Sequence, residues 1–332
     1  MRLAFFVKDV ATEIDEYATT RLARAAVQGG HEVWYVGVED VQLGDSDGQL
    51  VARAHAADFA TGDTLASFLQ RLQQRDTEPV VLDHLDALFL RNESVDDLQQ
   101  RPWASPLGVI FGQMLQARGV TVVNDPKSLI RAASKLYLEE FPEKIRPRSL
   151  VTRDPAAIAR FVGTIGRCVL KPLYGGRGRN VFIIEDQTET NLAQITEAVL
   201  QDGYAIVQEF VDGGEHGDAR IFLLEGKLLE RDGKPAAFRR IPTGNDLRAN
   251  ISVGARSVPL EIGDRERGII AAMSDKLVTD GMFFVGIDVI GDKVVEINAD
   301  STGGMQSVEW LYHIDVCPTV IEALQRRTHR KR

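Results

Sequence analysis

Apolar and polar positions along the first third of the chain follow the rhythm of strand, helix, strand. Leu3–Val7 is a short apolar run, and Glu16–Gln28 follows with helical spacing that stops at Gly29-Gly30, a helix-end signal. Val33–Val38 reads as a second strand and Ala87–Leu90 as a third. Val120–Val123 is a fourth, after a helix around Leu107–Arg118. This alternation predicts a parallel α/β sheet. The polar stretch Glu39–Asp63 is expected to be rich in loops.

From Asp125 the pattern changes. Pro126 begins a helix expected to run to about Glu140, and Phe141-Pro142 ends it. A smaller lobe follows: Ser149–Thr152, a helix from Asp154, Cys168–Lys171, Val181–Ile184, a helix near Thr188–Gln201 and Tyr204–Phe210. The remainder pairs Ala219–Leu224 with Lys227–Arg231 and Phe284–Ile290 with Lys293–Asn298. Helices are expected through Arg265–Gly281 and near Ile314–Arg326. There is no internal repeat. The pattern divides into 1–123, 124–210 and 211–332.

Composition narrows the classes. A chain of 332 residues with 44% hydrophobic content can bury a sizeable core. A formal net charge of −9 argues against a partner that is nucleic acid or an anionic membrane. The basic run Arg326–Arg332 reads as a solvated tail. Cys168 and Cys317 stand far apart in apolar runs and read as reduced core thiols of a cytoplasmic protein. Nothing resembles a signal peptide, and no apolar run approaches a bilayer span.

The residues that carry chemistry cluster late in the chain. Glu296 and Asn298 are two apart in a strand, so both side chains leave one face. Gly291-Asp292 turns the preceding strand back, which sets Asp288 opposite Glu296 or one position off, depending on turn length. Two carboxylates and an amide oxygen on one surface are hard ligands suited to Mg²⁺ bound with substrate phosphates. Lys171 ends a buried strand, and Gly175, Gly176 and Gly178 follow in a stretch that leads into another strand. That context excludes the P-loop and dinucleotide fingerprints and suits a flexible hairpin over phosphates. Gln208, Glu209, Phe210 and Val211 run into a turn where backbone groups could pair with adenine. Asp218 and Arg220 share a strand face, and Arg239, Arg240, Arg248 and Asn250 follow. Arginine forks suit carboxylate and phosphate. Taken singly, each element also reads as an ordinary hairpin, buried strand or surface arginine.

In combination and order they resemble the ATP-grasp ligases, specifically bacterial glutathione synthetases. The matching stretches are 123–129 (Val-Asn-Asp-Pro-Lys-Ser-Leu), 134–136 (Ser-Lys-Leu), 169–173 (Val-Leu-Lys-Pro-Leu), 217–220 (Gly-Asp-Ala-Arg), 240–242 (Arg-Ile-Pro), 248–250 (Arg-Ala-Asn), 284–291 (Phe-Val-Gly-Ile-Asp-Val-Ile-Gly) and 296–298 (Glu-Ile-Asn). The resemblance implies an α/β ATP-grasp fold: an N-terminal parallel-sheet lobe and two α+β lobes sandwiching ATP. It implies that Lys135 and Lys171 contact phosphates, with Lys171 also beside adenine, and that Gly175, Gly176 and Gly178 form the phosphate-covering loop. By the same likeness Gln208 to Val211 hold adenine, Asp218 the ribose, and Asp288, Glu296 and Asn298 two Mg²⁺ ions, with Mn²⁺ as an alternative metal. Arg220 and Arg248 are implied to stabilise an acyl phosphate, with Arg240 and Asn250 nearby. The implied reaction joins γ-glutamylcysteine to glycine using ATP, in a protein whose relatives suggest a homo-oligomer.

Two segments depart from that family. Where it carries Ser-Pro-Thr and then an Arg-Glu pair, this chain has Ala299-Asp300-Ser301-Thr302-Gly303-Gly304-Met305-Gln306. Ser301 and Thr302 offer hydroxyls and Gly303 a backbone N–H to substrate, but the arginine is absent. Near the N-terminus a basic segment is replaced by Thr12-Glu13-Ile14-Asp15-Glu16-Tyr17. The alternatives are therefore an ATP-grasp peptide or amide ligase for another carboxylate or amine, and an ATP-binding regulatory protein without ligase activity.

Overall fold

The computed structural model describes all residues except 45–47, 93–96, 98–100, 176–178, 244–254 and 331–332. Arg2–Val7 lies at the centre of the first sheet, parallel to Glu32–Gly37 on one side and Ala87–Leu90 on the other. Thr121–Val123 continues the parallel order beyond Ala87–Leu90. The expected parallel sheet is thus present, but it is extended antiparallel by Leu50–Ala57, which pairs with Glu32–Gly37, Val41–Leu43 and Glu78–Val81. The stretch expected to be loop therefore holds two strands. Its inward positions are Leu50, Ala52 and Ala54, all fully buried, and the two alanines make a period-2 pattern too faint to stand out from polar neighbours.

The first helix, Ala18–Gln28, ends at Gly29, and Gly30 takes the left-handed conformation (φ 77°). The helix expected over Pro126–Glu140 is broken. Pro126–Ala132 is α-helical, and Ser134, its hydroxyl accepting from Leu136 N, caps a separate 3-10 turn over Lys135–Glu140. The break swings Lys135 towards the cleft described below. Among the described residues two α-helices went unassigned in the sequence: Leu65–Gln74, with a Thr64/Ser67 capping box, and Met305–Tyr312.

The small lobe has its own four-stranded sheet, Ser149–Thr152, Cys168–Pro172, Phe182–Ile184 and Ala205–Glu209, and its own core. Ile158, Val162, Leu170, Val199 and Val207 are buried there away from the other two clusters. The last sheet centres on Asp218–Leu224, flanked by Ala237–Ile241 and Phe284–Ile290, with Lys293–Asn298 beyond. Aromatic contact joins this sheet to the first. Phe89 meets Phe283 and Phe284 edge-on at 6.0 and 6.4 Å, and Phe284 stacks on Phe222 at 5.9 Å. Each such buried ring is worth about 2 kcal/mol. The final helix, Cys317–Arg330, absorbs most of the basic run expected to be a tail. Its stripe of Val320, Ile321 and Leu324 is buried in the core that also holds Leu22 and Ala26 of the first helix. Among the described residues no helix is long and apolar enough to cross a membrane.

Candidate active site

The last sheet carries the metal-type residues. Phe284–Ile290 and Lys293–Asn298 pair so that Asp288 stands directly opposite Glu296, settling the register that the turn length left open. A bulge follows Asp288, and Gly291 at φ 57° makes the turn. Asp218–Leu224 pairs on the other side and places Arg220 against Asp288 and Asp218 against Arg240.

These charges form one buried cluster. Arg220 grips Asp288 with Nε and Nη2, the latter at 2.9 Å. Arg240 holds both oxygens of Asp218, at 2.6 and 2.5 Å, and reaches Asp288 at 2.8 Å. Burial pushes the Asp288 carboxyl up, but the two guanidiniums outweigh it and hold its pKa below the usual range. Burial and the neighbouring Asp288 charge push Asp218 the other way. Asn298 donates Nδ2 to Asp288 at 3.4 Å, which leaves its Oδ1 turned elsewhere.

Across from this cluster stand the lysines. Lys171, 9% exposed, donates to Gln208 Oε1 at 3.2 Å. Gln208 in turn donates to Ser149 Oγ at 3.2 Å. Lys135 donates to the carbonyl of Gly175 at 2.7 Å, so the base of the glycine-rich stretch is tied to it. Burial lowers the pKa of both ammoniums, that of Lys135 to about 8, while the Glu296 charge opposes the shift. Desolvated ammoniums beside a carboxylate strongly favour an arriving polyanion.

A single cavity of about 690 Å³ joins these groups, lined by Lys135, Lys171, Gly175, Gln208, Arg220, Arg240, Glu296, Asn298, Ser301 and Gly303. Arg248, Asn250, Gly176 and Gly178 lie outside the described residues. Glu209, Phe210 and Val211 do not line the cavity. The Glu209 carboxylate accepts from Arg148 N, and the Arg167 guanidinium sits 3.8 Å from the Phe210 ring. Asp218 is likewise not offered to a ribose, because both its oxygens are taken by Arg240. Thr302 is corrected too: it is fully buried beneath Gly286, and its hydroxyl does not face the cavity. Its carbonyl accepts from Arg91 at 2.9 Å, and that of Gly303 from Arg220 at 3.0 Å.

The first lobe supplies residues that the sequence reading missed. Lys8 and Arg91 follow the carboxyl ends of adjacent parallel strands, where α/β folds place their ligands, and both line the cavity with Glu13 and Tyr17. A charged residue directly after the buried run Ala87–Leu90 was the available signal. Asn124 locks the lobes together. Its amide donates to the carbonyls of Phe284 and Ala299, at 2.9 and 2.5 Å, and accepts from Phe283 N and Phe284 N, at 2.7 and 2.8 Å.

Comparisons with known proteins identify the family. The prokaryotic glutathione synthetase N-terminal domain matches residues 1–130, and the ATP-grasp domain of the same family matches 134–313. A glutathione synthetase from Synechococcus elongatus is 30% identical over 98% of this chain and 98% of its own length. One from Vibrio cholerae is 30% identical over 91% and 90%. Among solved structures, the D-cycloserine synthetase DcsG shares the fold at a TM-score of 0.66 and 14% identity, over 98% of this chain and 99% of that one. The chain belongs to the prokaryotic glutathione synthetase family and is an ATP-dependent C–N ligase of ATP-grasp fold.

Proposed function

We propose that this ligase activates a peptide carboxylate as an acyl phosphate and passes the acyl group to an amine, with γ-glutamylcysteine and glycine as the first substrates to test. The convergence of Lys135, Lys171, Arg220 and Arg240 with Glu296 and Asn298 on one cavity carries this reading.

Lys135 and Lys171 hold the phosphates, and the Gly175 carbonyl now on Lys135 is displaced when the nucleotide enters. The substrate carboxylate oxygen attacks the γ-phosphorus and the bond to the β-bridging oxygen breaks, releasing ADP. Arg220 and Arg240 neutralise charge on the transferring group. The amine nitrogen then attacks the acyl carbon, phosphate leaves, and the amine proton passes to solvent or phosphate. Asp218 orients Arg240 throughout. Glu296 and Asn298 line the cavity and fit Mg²⁺ through their oxygens, whereas Asp288, both of whose oxygens are held by Arg220 and Arg240, would join them only by giving up one of those pairs. Two divalent ions held there would screen the phosphate charges. The buried free thiols Cys168 and Cys317 support a reducing, cytoplasmic setting.

ADP release with Mg²⁺, γ-glutamylcysteine and glycine tests the proposal. Turnover is expected only when carboxylate and amine are both present. ADP formation at one rate with or without the peptide contradicts the acyl-phosphate route.

A further inference from the structure

The turn that carries Lys135 rests on a cluster of charges that the chemistry leaves unused. A 3-10 turn has poorer hydrogen-bond geometry than an α-helix, so its shape leans on tertiary contacts. Lys135 opens such a turn, Lys135–Glu140, and its N–H reaches the carbonyl of Leu173 only at 3.4 Å. Tyr137 on the same turn is 1% exposed and donates its hydroxyl to Asp280 at 2.8 Å. Asp280 follows the helix Asp264–Thr279 and also accepts from Arg131 and Lys276, both at 2.9 Å. The same two cations hold Glu140, the last residue of the turn, at 2.5 and 2.7 Å. Both lie over the Tyr137 ring, 5.8 and 5.4 Å from its centroid. Burial raises the Asp280 carboxyl, but hydrogen bonds from Lys276, Tyr137 and Arg131 outweigh it and hold its pKa below the usual range.

Tyr137 lines the cavity, whereas Arg131, Glu140, Lys276 and Asp280 do not. Beyond Asp280 the chain passes through Gly281, whose carbonyl accepts from Asp125 N at 3.1 Å, and into the strand that carries Asp288. The cluster thus joins the Lys135 turn to the sheet that bears the metal-type residues. We propose that Asp280 is a positioning residue for the nucleotide: through Tyr137 it fixes the turn on which Lys135 stands, so that the lysine is already aimed when the phosphates arrive. The inference rests on the reading of Lys135 as a phosphate ligand.

A double-mutant cycle tests it. Binding of a non-hydrolysable ATP analogue with Mg²⁺ is measured by calorimetry for Tyr137→Phe, Asp280→Ala and Lys135→Met, and for each of the first two combined with Lys135→Met. Tyr137→Phe and Asp280→Ala are each expected to bind about fivefold weaker, the worth of one hydrogen bond. Removing a carboxylate by itself favours a polyanion, so weakening in Asp280→Ala has the opposite sign to a plain charge effect. Lys135→Met is expected to lose about tenfold or more. Adding either substitution to it is expected to cost nothing further, because the cluster acts through that lysine. A merely structural role lowers stability, read by thermal unfolding, and weakens binding by the same factor in both backgrounds. Should Asp280→Ala fail to fold, Tyr137→Phe, which lacks only a hydroxyl, decides. Tyr137→Phe at parental affinity, or losses that multiply, overturns the inference and leaves Lys135 its phosphate role. Lys135→Met at parental affinity overturns both.

Discussion

Asp288 is the residue on which the site's electrostatics turn, since two arginines share its carboxylate and one of them is fixed by Asp218. Asp218→Asn removes the charge that aims Arg240 without changing its shape. It is expected to lower kcat about tenfold or more while the KM for ATP moves little, because Arg240 acts on the transferring group. Steady-state kinetics at varied ATP checks this, and equal losses in both constants contradict it. Glu296→Gln is expected to abolish divalent-ion-dependent turnover with the fold retained, read by ADP release and circular dichroism. Glu13 gives a pH prediction. Its pKa rises from 4.5 to about 7 chiefly by burial, opposed by Arg91 and aided by Asp9, with Tyr35 packed close enough to feel its charge. The folded state therefore holds a proton that the unfolded chain releases. This favourable contribution is complete below pH 4.5 and is lost as pH rises through about 7. Glu13→Gln, neutral at every pH, is expected to match the parent at pH 4 and exceed it at pH 8 by up to about 3 kcal/mol. Denaturant unfolding at the two values measures the difference.

The strand pair Phe284–Ile290 and Lys293–Asn298 depends on how closely the following loop packs beneath it. A Cβ on Gly286 meets Thr302 Oγ1 at 2.2 Å and Arg220 Cδ at 3.3 Å. Gly286→Ala is therefore expected to displace the 299–304 loop and loosen Arg220 from Gly303, costing about 1–3 kcal/mol and much of the turnover. Gly217 has the same need by another route. Its φ is 92°, and a Cβ there falls 1.8 Å from the Arg240 carbonyl. Gly268 is the contrast, an exposed glycine within the helix Asp264–Thr279 with open space around it. Gly268→Ala is expected to stabilise the chain by about 0.5–1 kcal/mol with unchanged turnover. Thermal unfolding of the pair tests both signs together.

Across the whole molecule, the cavity exists only because the first lobe and the last sheet are held in register. Asn124 fastens the end of the first lobe to the strand that carries Asp288 and, through Ala299, to the loop that forms the substrate wall. Asn124→Ala leaves four backbone groups of residues 283, 284 and 299 without their partner. The expected cost is about 3 kcal/mol or more. Because first-lobe residues and the loop that follows Ala299 both line the cavity, substrate KM is expected to rise more than ATP KM. A variant that loses neither stability nor substrate affinity contradicts this role.

The sequence by itself determined what local geometry can encode. Short apolar runs announced the strands Leu3–Val7 and Phe284–Ile290, and Gly291-Asp292 announced the hairpin. The spacing of Glu296 and Asn298 put two oxygen ligands on one face, and the order of motifs carried the ATP-grasp likeness. Alternation hidden by small residues escaped it, as at Ala52 and Ala54, as did the break at Ser134 that turns Lys135 inward. Only tertiary structure decided that Asp218 serves Arg240 and that Thr302 is sealed under Gly286. It alone brought Glu13, Arg91 and Gln306, from three distant stretches of chain, to one cavity. Burial and partnership are properties of the packed molecule, and no spacing along the chain records which buried carboxylate lies beside an arginine and which side chains come to line the cavity.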